Sequence, residues 1–237
     1  MNRMLKFGLT AIALAAVAPA YAEDIEEEEP EGPIGWTPVA IGLATPVQLP
    51  WGLNRWDVFG LDVNLFYTDA PKLYGIGVGG LAELTRDRAI GLLVGGLANV
   101  AFDDVYGMRA TLGLNYCAKS VYGVEAGLAG FRDTFHGLDV QLLGAYQREV
   151  CGMQVGGLAT VSAEESYGLN VAGLANLAKT AYGLQLALLF NYTTELHGAQ
   201  VSLINYTEAC PSGFQIGLVN IIMQNRLKFL PIVNGYF

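Results

Sequence analysis

The chain has 237 residues and a formal net charge of −9, with 52% apolar and only 15% charged residues. Its 13 Lys and Arg residues form no cluster, which argues against nucleic acid as a partner. After the first 22 residues, no apolar run reaches the roughly 18 residues that a transmembrane helix needs. The three cysteines, Cys117, Cys151 and Cys210, show no C-x-x-C or Cys/His ligand spacing, so we expect no metal and no cofactor.

The first 22 residues are predicted to be a secretory signal peptide. Arg3 and Lys6 supply the basic start, and Phe7–Val17 is an apolar stretch of eleven residues. Ala20-Tyr21-Ala22 then provides a small-x-small cleavage site. The apolar stretch is too short for a stop-transfer helix, so we expect the chain to be exported.

Residues 23–33 are predicted to be an acidic, disordered leader. The segment "EDIEEEEPE" (Glu23–Glu31) carries seven Asp and Glu residues. Like charges at this density repel one another and leave little apolar surface to bury. The remaining residues, 34–237, are predicted to form a single β-repeat domain.

Most of this domain consists of eleven similar units that each begin with an anchor glycine. Successive anchors are 14 to 16 residues apart. The anchors are Gly60, Gly75, Gly91, Gly107, Gly123, Gly137, Gly152, Gly168, Gly183, Gly198 and Gly213. Self-similarity at a fixed period is the signature of a repeat architecture.

Within each unit, apolar and polar residues alternate. The positions one and three residues after the anchor are apolar in every unit, as at Leu184 and Leu186. The position between them is polar or charged in nine of the eleven units: Asp62, Arg109, Glu125, Asp139, Gln154, Asn170, Gln185, Gln200 and Gln215. A period of two predicts a strand with one apolar face.

An aromatic residue or histidine precedes the anchor in eight of the eleven units. The remaining charge is concentrated between units, in segments such as "TRDR", "QRE" and "SAEES". Each unit is therefore predicted to be a strand of about ten residues followed by a short polar turn. His136 and His197, the only two histidines, share the aromatic column and have no adjacent Ser or Cys motif, so we expect no enzymatic activity.

The motifs "GFQIGLVN" (Gly213–Asn220), "YGLQLALLFN", "HGAQVSLIN" and the ending "LPIVNGYF" resemble a family of bacterial surface repeat-containing proteins. Members of that family carry tandem G-L-Q-Φ-G-L-V-N units, in which Φ is an apolar residue, behind a signal peptide. The resemblance covers residues 39–237, and the units at Gly123 and Gly137 depart from it because they lack the terminal Asn. It implies a surface or outer-membrane location and no established activity.

Two architectures fit this repeat. In the first, each strand reverses to build an antiparallel transmembrane β-barrel of about 12 strands, the last of them formed by residues 227–237. The apolar positions then face lipid, and aromatic residues at the strand ends form two girdles. The nine polar positions after the anchors would line the lumen, where Asp62, Arg109, Glu125 and Asp139 would either tune the selectivity of a pore or satisfy one another in a plugged barrel.

The alternative is a parallel β-solenoid with about 15 residues per coil. A glycine at every anchor favours it, because a coil corner needs glycine more than a barrel strand does. Small residues also recur four positions after several anchors, where a second corner would lie. Gln154, Asn170, Gln185, Gln200 and Gln215 would then stack as a ladder along the solenoid.

Surface polarity favours the barrel, because a soluble solenoid must present polar outer faces and "GLQLALLFNY" is apolar on both. Glu125 and Asp139 would also be unfavourable neighbours in a parallel ladder. The sequence therefore predicts a non-enzymatic protein, structural or a narrow pore, that contacts outer-membrane lipid. We expect it at the outer membrane or cell surface of a Gram-negative-type bacterium. The alternative function is a surface-exposed or secreted solenoid that acts as an interaction or adhesion scaffold.

Overall fold

The computed structural model describes residues 34–44, 47–51 and 55–236, nearly all of them in β-strands. The signal peptide and acidic leader predicted for residues 1–33 lie outside the described residues. The strands are β1 (Gly35–Ala44), β2 (Val47–Leu49), β3 (Trp56–Ala70), β4 (Leu73–Gly79), β5 (Ala82–Thr85), β6 (Ala89–Gly95), β7 (Ala98–Ala101), β8 (Val105–Thr111), β9 (Leu114–Gly156), β10 (Ala159–Ala172), β11 (Ala175–Ala187), β12 (Phe190–Val201), β13 (Ile204–Ile222) and β14 (Phe229–Gly235).

Consecutive repeat units pair in parallel and in register. Gly60 pairs with Gly75 and Gly75 with Gly91, and the same register links Gly183 to Gly198. The chain is therefore a parallel β-solenoid of about ten turns with about 16 residues per turn. The predicted antiparallel barrel is wrong and the solenoid alternative is confirmed. Among the described strands, antiparallel pairing occurs only at the two ends, between β1 and β2 and between β13 and β14.

The anchor glycine is required at every coil for two reasons. Each anchor has a positive φ, for example 135° at Gly91, which side-chain-bearing residues rarely adopt. A Cβ atom built on Gly91 would also lie 1.9 Å from the carbonyl oxygen of Gly75 in the preceding coil. The anchors thus form a column in which each backbone closely approaches the next.

Each coil has two segments that face each other. In one coil, Ser166–Ala172 forms the first segment, a bend follows at Gly173-Leu174, and Ala175–Ala178 forms the second segment. Side chains of the two segments meet inside the solenoid, as where Gln200 donates a hydrogen bond to Thr193 over 3.1 Å. The bend and the polar turn that closes the coil therefore lie on opposite edges.

The interior of the solenoid is mainly polar. One apolar column, two residues before the anchors, is buried along nearly the whole length: Val58, Leu73, Ala89, Val105, Val121, Phe135, Val150, Ala181 and Leu196. The other inward columns carry mainly Asn, Gln, Thr and charged residues. The period-two alternation consequently sends most of the large apolar side chains outward.

Candidate functional site

The nine residues that were predicted to line a barrel lumen lie instead in the closed interior of the solenoid. They are Asp62, Arg109, Glu125, Asp139, Gln154, Asn170, Gln185, Gln200 and Gln215, and each is at most 3% exposed. The lumen prediction is wrong because the two segments of each coil pack directly against each other. These positions therefore contribute to the stability of the coil stack.

Amide side chains form two ladders along the axis. Gln200 donates to Gln185, and Gln215 donates to Gln200, both over 2.9 Å. On the facing segment, Asn191 donates to Asn205 over 3.0 Å. Since an amide has both donors and an acceptor, each side chain can bond the coils on both sides of it. Parallel in-register pairing is what brings identical amides together.

Two other members of the predicted ladder make different contacts. Asn170 donates to the hydroxyl of Ser166 in its own coil. Gln154 lies 3.5 Å from the carboxylate of Asp139 in the preceding coil. The ladder of glutamine amides is thus continuous only over the last three members.

Four buried ionisable residues alternate in charge along the axis. Arg109 bonds Glu125 of the next coil through Nε at 3.1 Å and also through Nη2. Arg132 comes from the facing segment and bonds both Glu125 and Asp139. The repulsion expected between Glu125 and Asp139 is therefore removed by an intervening guanidinium group. Gly130 leaves room for this cluster, since a Cβ there would lie 2.6 Å from Arg132 Nη1.

The cluster sets the ionisation of its two carboxylates. Burial by itself raises the pKa of Glu125, but the guanidinium groups of Arg109 and Arg132 outweigh burial and lower it. Burial also raises the pKa of Asp139, to about 6, because Arg132 offsets burial only in part and Glu125 adds like charge. The two guanidinium groups therefore favour the ionised form of Glu125.

Glu83 and Asp62 are a second pair of buried carboxyls, and among the described residues neither forms a salt bridge, although the more distant Arg109 lowers the pKa of Glu83 in part. Glu83 accepts a hydrogen bond from Thr85 at 2.8 Å, but its Oε2 atom has no hydrogen-bond partner among the described residues. Burial raises the pKa of Glu83 to about 8 and that of Asp62 to about 7. Gly77 makes room for Leu73 and Glu83, because a Cβ there would lie 2.5 Å from Leu73 Cδ2 and 3.3 Å from Glu83 Cγ.

Sequence reasoning missed the burial of Glu83. The burial could have been inferred from the position of Glu83 in its unit. In the parallel register Glu83 pairs with Asn99, which belongs to a column of inward polar residues. Gly77 lies two residues after the anchor Gly75, at a position that is polar in most units. The contact with Glu83 explains why this unit has a glycine there. Its missing side chain creates the space that Glu83 fills from the facing segment.

Sequence reasoning also missed a leucine column at the bend of each coil, which we call the leucine edge. One leucine lies five or six residues after every anchor: Leu65, Leu81, Leu97, Leu112, Leu128, Leu142, Leu158, Leu174, Leu188, Leu203 and Leu218. All but the half-buried Leu128 are exposed, and Leu112 is 85% exposed. No Asp, Glu, Lys or Arg occurs in these bends. The leucine edge is thus a continuous apolar strip along the solenoid.

The apolar surface extends from the leucine edge onto both outer faces. On the first face, Ile76, Met108, Met153 and Phe214 are exposed. On the second face, outward positions hold mainly Ala, Val, Leu and Tyr, such as the half-exposed Leu177. Contiguous exposed apolar surface of this kind marks contact with something other than water.

Stacked rings separate the apolar surface from the opposite edge. In the column before the anchors, Tyr167 stacks on Tyr182 and Tyr182 on His197, with ring centroids 4.6 Å apart in both pairs. This spacing matches the distance between neighbouring strands. On the second face, Tyr192 stacks on Tyr206. The polar tips of these rings reach carboxylates, as where Tyr167 donates to Glu165 over 2.8 Å.

The edge opposite the leucines, which we call the charged edge, is formed by the polar turns between coils. Arg148 bonds Asp133 with two nitrogens at 2.9 and 3.0 Å, and Lys119 lies 2.9 Å from Asp103. The solenoid is therefore amphipathic across its width, with leucine on one edge and ion pairs on the other.

Three polar side chains on this edge, Glu195, His197 and Ser212, are of the residue types found in a hydrolytic triad. His197 Nε2 lies 2.9 Å from Glu195 Oε1, and His197 Nδ1 lies 3.2 Å from Ser212 Oγ. The three side chains lie on an outward strand surface, with Glu195 45% exposed. This arrangement could not be recognised in the sequence, because Ser212 and His197 belong to neighbouring coils and become adjacent only in the parallel register.

Comparison with protein-family models, curated proteins and solved structures finds no match to this chain. The resemblance to bacterial surface repeat-containing proteins therefore stays a prediction. The part of the chain that the structure describes contains no helix long and apolar enough to cross a membrane. Within the same residues, no group of three or more His, Cys, Asp or Glu side chains is arranged to hold a metal ion.

Proposed function

We propose that this chain is an exported, non-enzymatic β-solenoid that acts as an interaction or adhesion scaffold at a bacterial cell surface. The observation that carries the proposal is the closed interior, in which the nine candidate residues are buried and contact other side chains of the coil stack. Function is then left to the outer faces and edges, which repeat from coil to coil. Extended repeated surfaces are what solenoids use for binding.

A one-coil deletion tests the scaffold. Removal of Gly183–His197 takes out 15 residues and joins Tyr182 to Gly198, which keeps the anchor column and the inward polar columns in register. We expect a folded protein, because each coil contacts only its neighbours. The matched control removes Gly183–Leu189, seven residues, which exchanges inward and outward positions in the rest of the coil.

Circular dichroism and limited proteolysis of both variants decide the outcome. The 15-residue deletion should keep the wild-type β spectrum and protease resistance, whereas the seven-residue deletion should lose both. Equal loss in the two variants would mean that the coils are not independent units, and the scaffold proposal would fail.

The proposed location is tested on intact bacteria that express the full chain with an epitope inserted after Lys179 on the charged edge. We expect removal of the signal peptide after Ala22 and digestion of the epitope by external protease, with a cytoplasmic protein as the undigested control. An uncleaved chain found wholly in the cytoplasm would contradict export.

A further inference from the structure

We propose that the solenoid lies lengthwise on a membrane, with its leucine edge inserted into the acyl chains of one phospholipid leaflet. The inference rests on the proposed surface scaffold and names the surface that the scaffold contacts. It commits to lipid as the occupant of the leucine edge. Four features of the described residues carry it.

The apolar surface covers three sides of the coil stack. Leu97 and Leu174 lie on the leucine edge, Ile76 and Met108 on the first face, and Leu177 on the second face. A rigid protein docked on one face would leave the other face and the edge in water. A fluid hydrocarbon phase contacts all three sides at once, so the distribution favours lipid over a second copy of the chain.

The backbone amide groups at the leucine edge already have hydrogen-bond partners, so they can lie in a medium without water. Leu97 N donates to Leu81 O over 2.6 Å, and Leu174 N donates to Leu158 O over 2.8 Å. Because the bends bond from coil to coil, these amide groups need no hydrogen bond from solvent. Unsatisfied backbone groups are what normally keep irregular chain out of hydrocarbon.

The distance from the leucine edge to the ring columns matches the depth from the interior of one leaflet to its headgroups. Within a coil, the leucine of the bend follows the ring before the anchor by six or seven residues, as from Tyr182 to Leu188 and from Tyr167 to Leu174. At about 3.3 Å per residue this is about 20–23 Å. The hydrocarbon of one leaflet is about 15 Å thick, half of the bilayer core of about 30 Å. A leucine edge at the leaflet interior therefore places the ring columns at the headgroup region, where Tyr is favoured.

The position of the charges excludes the alternative orientations. If the solenoid axis crossed the bilayer, the charged edge with the ion-paired Arg148 and Asp133 would lie in hydrocarbon, where charged side chains are strongly disfavoured. Lying flat keeps the whole charged edge in water. The acidic net charge of −9 also means that attraction to anionic lipid is not the driving force, so binding to zwitterionic lipid should withstand salt.

Site-specific labels test the orientation. In a background with Cys117→Ala, Cys151→Ser and Cys210→Ala, single cysteines are introduced by Leu174→Cys or Lys179→Cys, which lie on opposite edges of one coil. Each carries a polarity-sensitive fluorophore, and the full chain is mixed with phosphatidylcholine vesicles that contain a lipid-borne quencher. We expect a blue shift and quenching for the label at 174 and neither for the label at 179.

Three results would overturn the proposal. These are no response of either label to vesicles, equal responses of both labels, or a blue shift at position 174 that depends on protein concentration without lipid. The last result would mean that a second copy covers the leucine edge. If the labels fail while the one-coil deletion folds and the epitope is exposed on cells, the scaffold stands and the lipid contact alone is refuted.

Vesicle flotation of leucine variants gives an independent measure. Leu97 and Leu227 are both 62% exposed, but Leu227 lies in the turn after β13, beyond Gln224, whose N–H bonds Glu208 O at the charged edge. We expect Leu97→Ser to lower the partition coefficient roughly tenfold and Leu227→Ser to leave it unchanged. Binding should persist at about 1 M salt, where surface electrostatics are screened. Equal losses in the two variants, or release by salt, would contradict insertion through the leucine edge.

Discussion

Replacement of Glu83 by Gln should stabilise the protein at alkaline pH. The folded chain keeps the Glu83 proton until about pH 8, whereas an unperturbed glutamic acid releases it near pH 4.5. Between these two pH values only the unfolded state is ionised, so stability falls as the pH rises. At about 1.4 kcal/mol per pH unit, the loss reaches roughly 5 kcal/mol by pH 8 and then stays constant.

Glutamine removes this loss and keeps the shape of the side chain. Its carbonyl oxygen can still accept the hydrogen bond from Thr85, and its volume still fills the space beside Gly77. We expect the variant to match the wild type near pH 4.5 and to exceed it by up to about 5 kcal/mol near pH 8. Some pH dependence will persist in both proteins because the pKa of Asp62 is also raised, to about 7.

Urea unfolding followed by circular dichroism at pH 5, 6.5 and 8 measures this difference. Glu125→Gln is the matched control, because Glu125 is equally buried but bonds Arg109 and Arg132. The control should be less stable than the wild type at pH 8 by roughly 3–5 kcal/mol, since it leaves two buried cations short of a counterion. A Glu83→Gln variant that is less stable at pH 8, with an unchanged pH slope, would refute the argument.

Three further predictions concern the coil stack and its surface. Gly91→Ala should lower the urea midpoint strongly, because its Cβ would meet the carbonyl oxygen of Gly75 at 1.9 Å, whereas Gly35→Ala meets only a side chain at 3.1 Å and should cost far less. Asn191→Ala should cost about 2–3 kcal/mol in the same assay, because it interrupts the asparagine ladder and leaves buried amide groups unpaired; a loss below 0.5 kcal/mol, as an order-of-magnitude threshold, would contradict this. Ser212 should not react with a fluorophosphonate probe, since its outward position provides no enclosed site for the oxyanion; labelling that depends on His197 would instead indicate an activated serine.

The repeat unit could be derived from the sequence because local rules determine it. Alternation with a period of two, glycine anchors 14 to 16 residues apart and turns that collect the charges together require a strand and a turn in each unit. The inward direction of residues such as Gln185 and Gln200 also follows from this alternation. Within each unit, the strand and the turn depend only on neighbours a few residues apart.

The direction of the chain after each turn was predicted wrongly, because both architectures produce the same alternation. The prediction rested on surface polarity, which assumes that apolar side chains must be inside a soluble solenoid. Here the interior is polar, and amides such as Gln200 find their partners in the next coil, so the apolar side chains point outward. Apolar outer faces therefore could not discriminate a barrel from a solenoid.

The sequence by itself determined the strand unit, the position of each anchor and the faces on which the side chains just after each anchor lie. The tertiary structure alone decided which residues meet across the interior. Arg132 separates Glu125 from Asp139, and Glu83 fills the space beside Gly77, because facing segments and successive coils bring together residues that are not neighbours in the chain. The leucine edge became an apolar strip for the same reason, since its members are 14 to 16 residues apart in sequence but only one strand spacing, about 4.8 Å, apart along the solenoid.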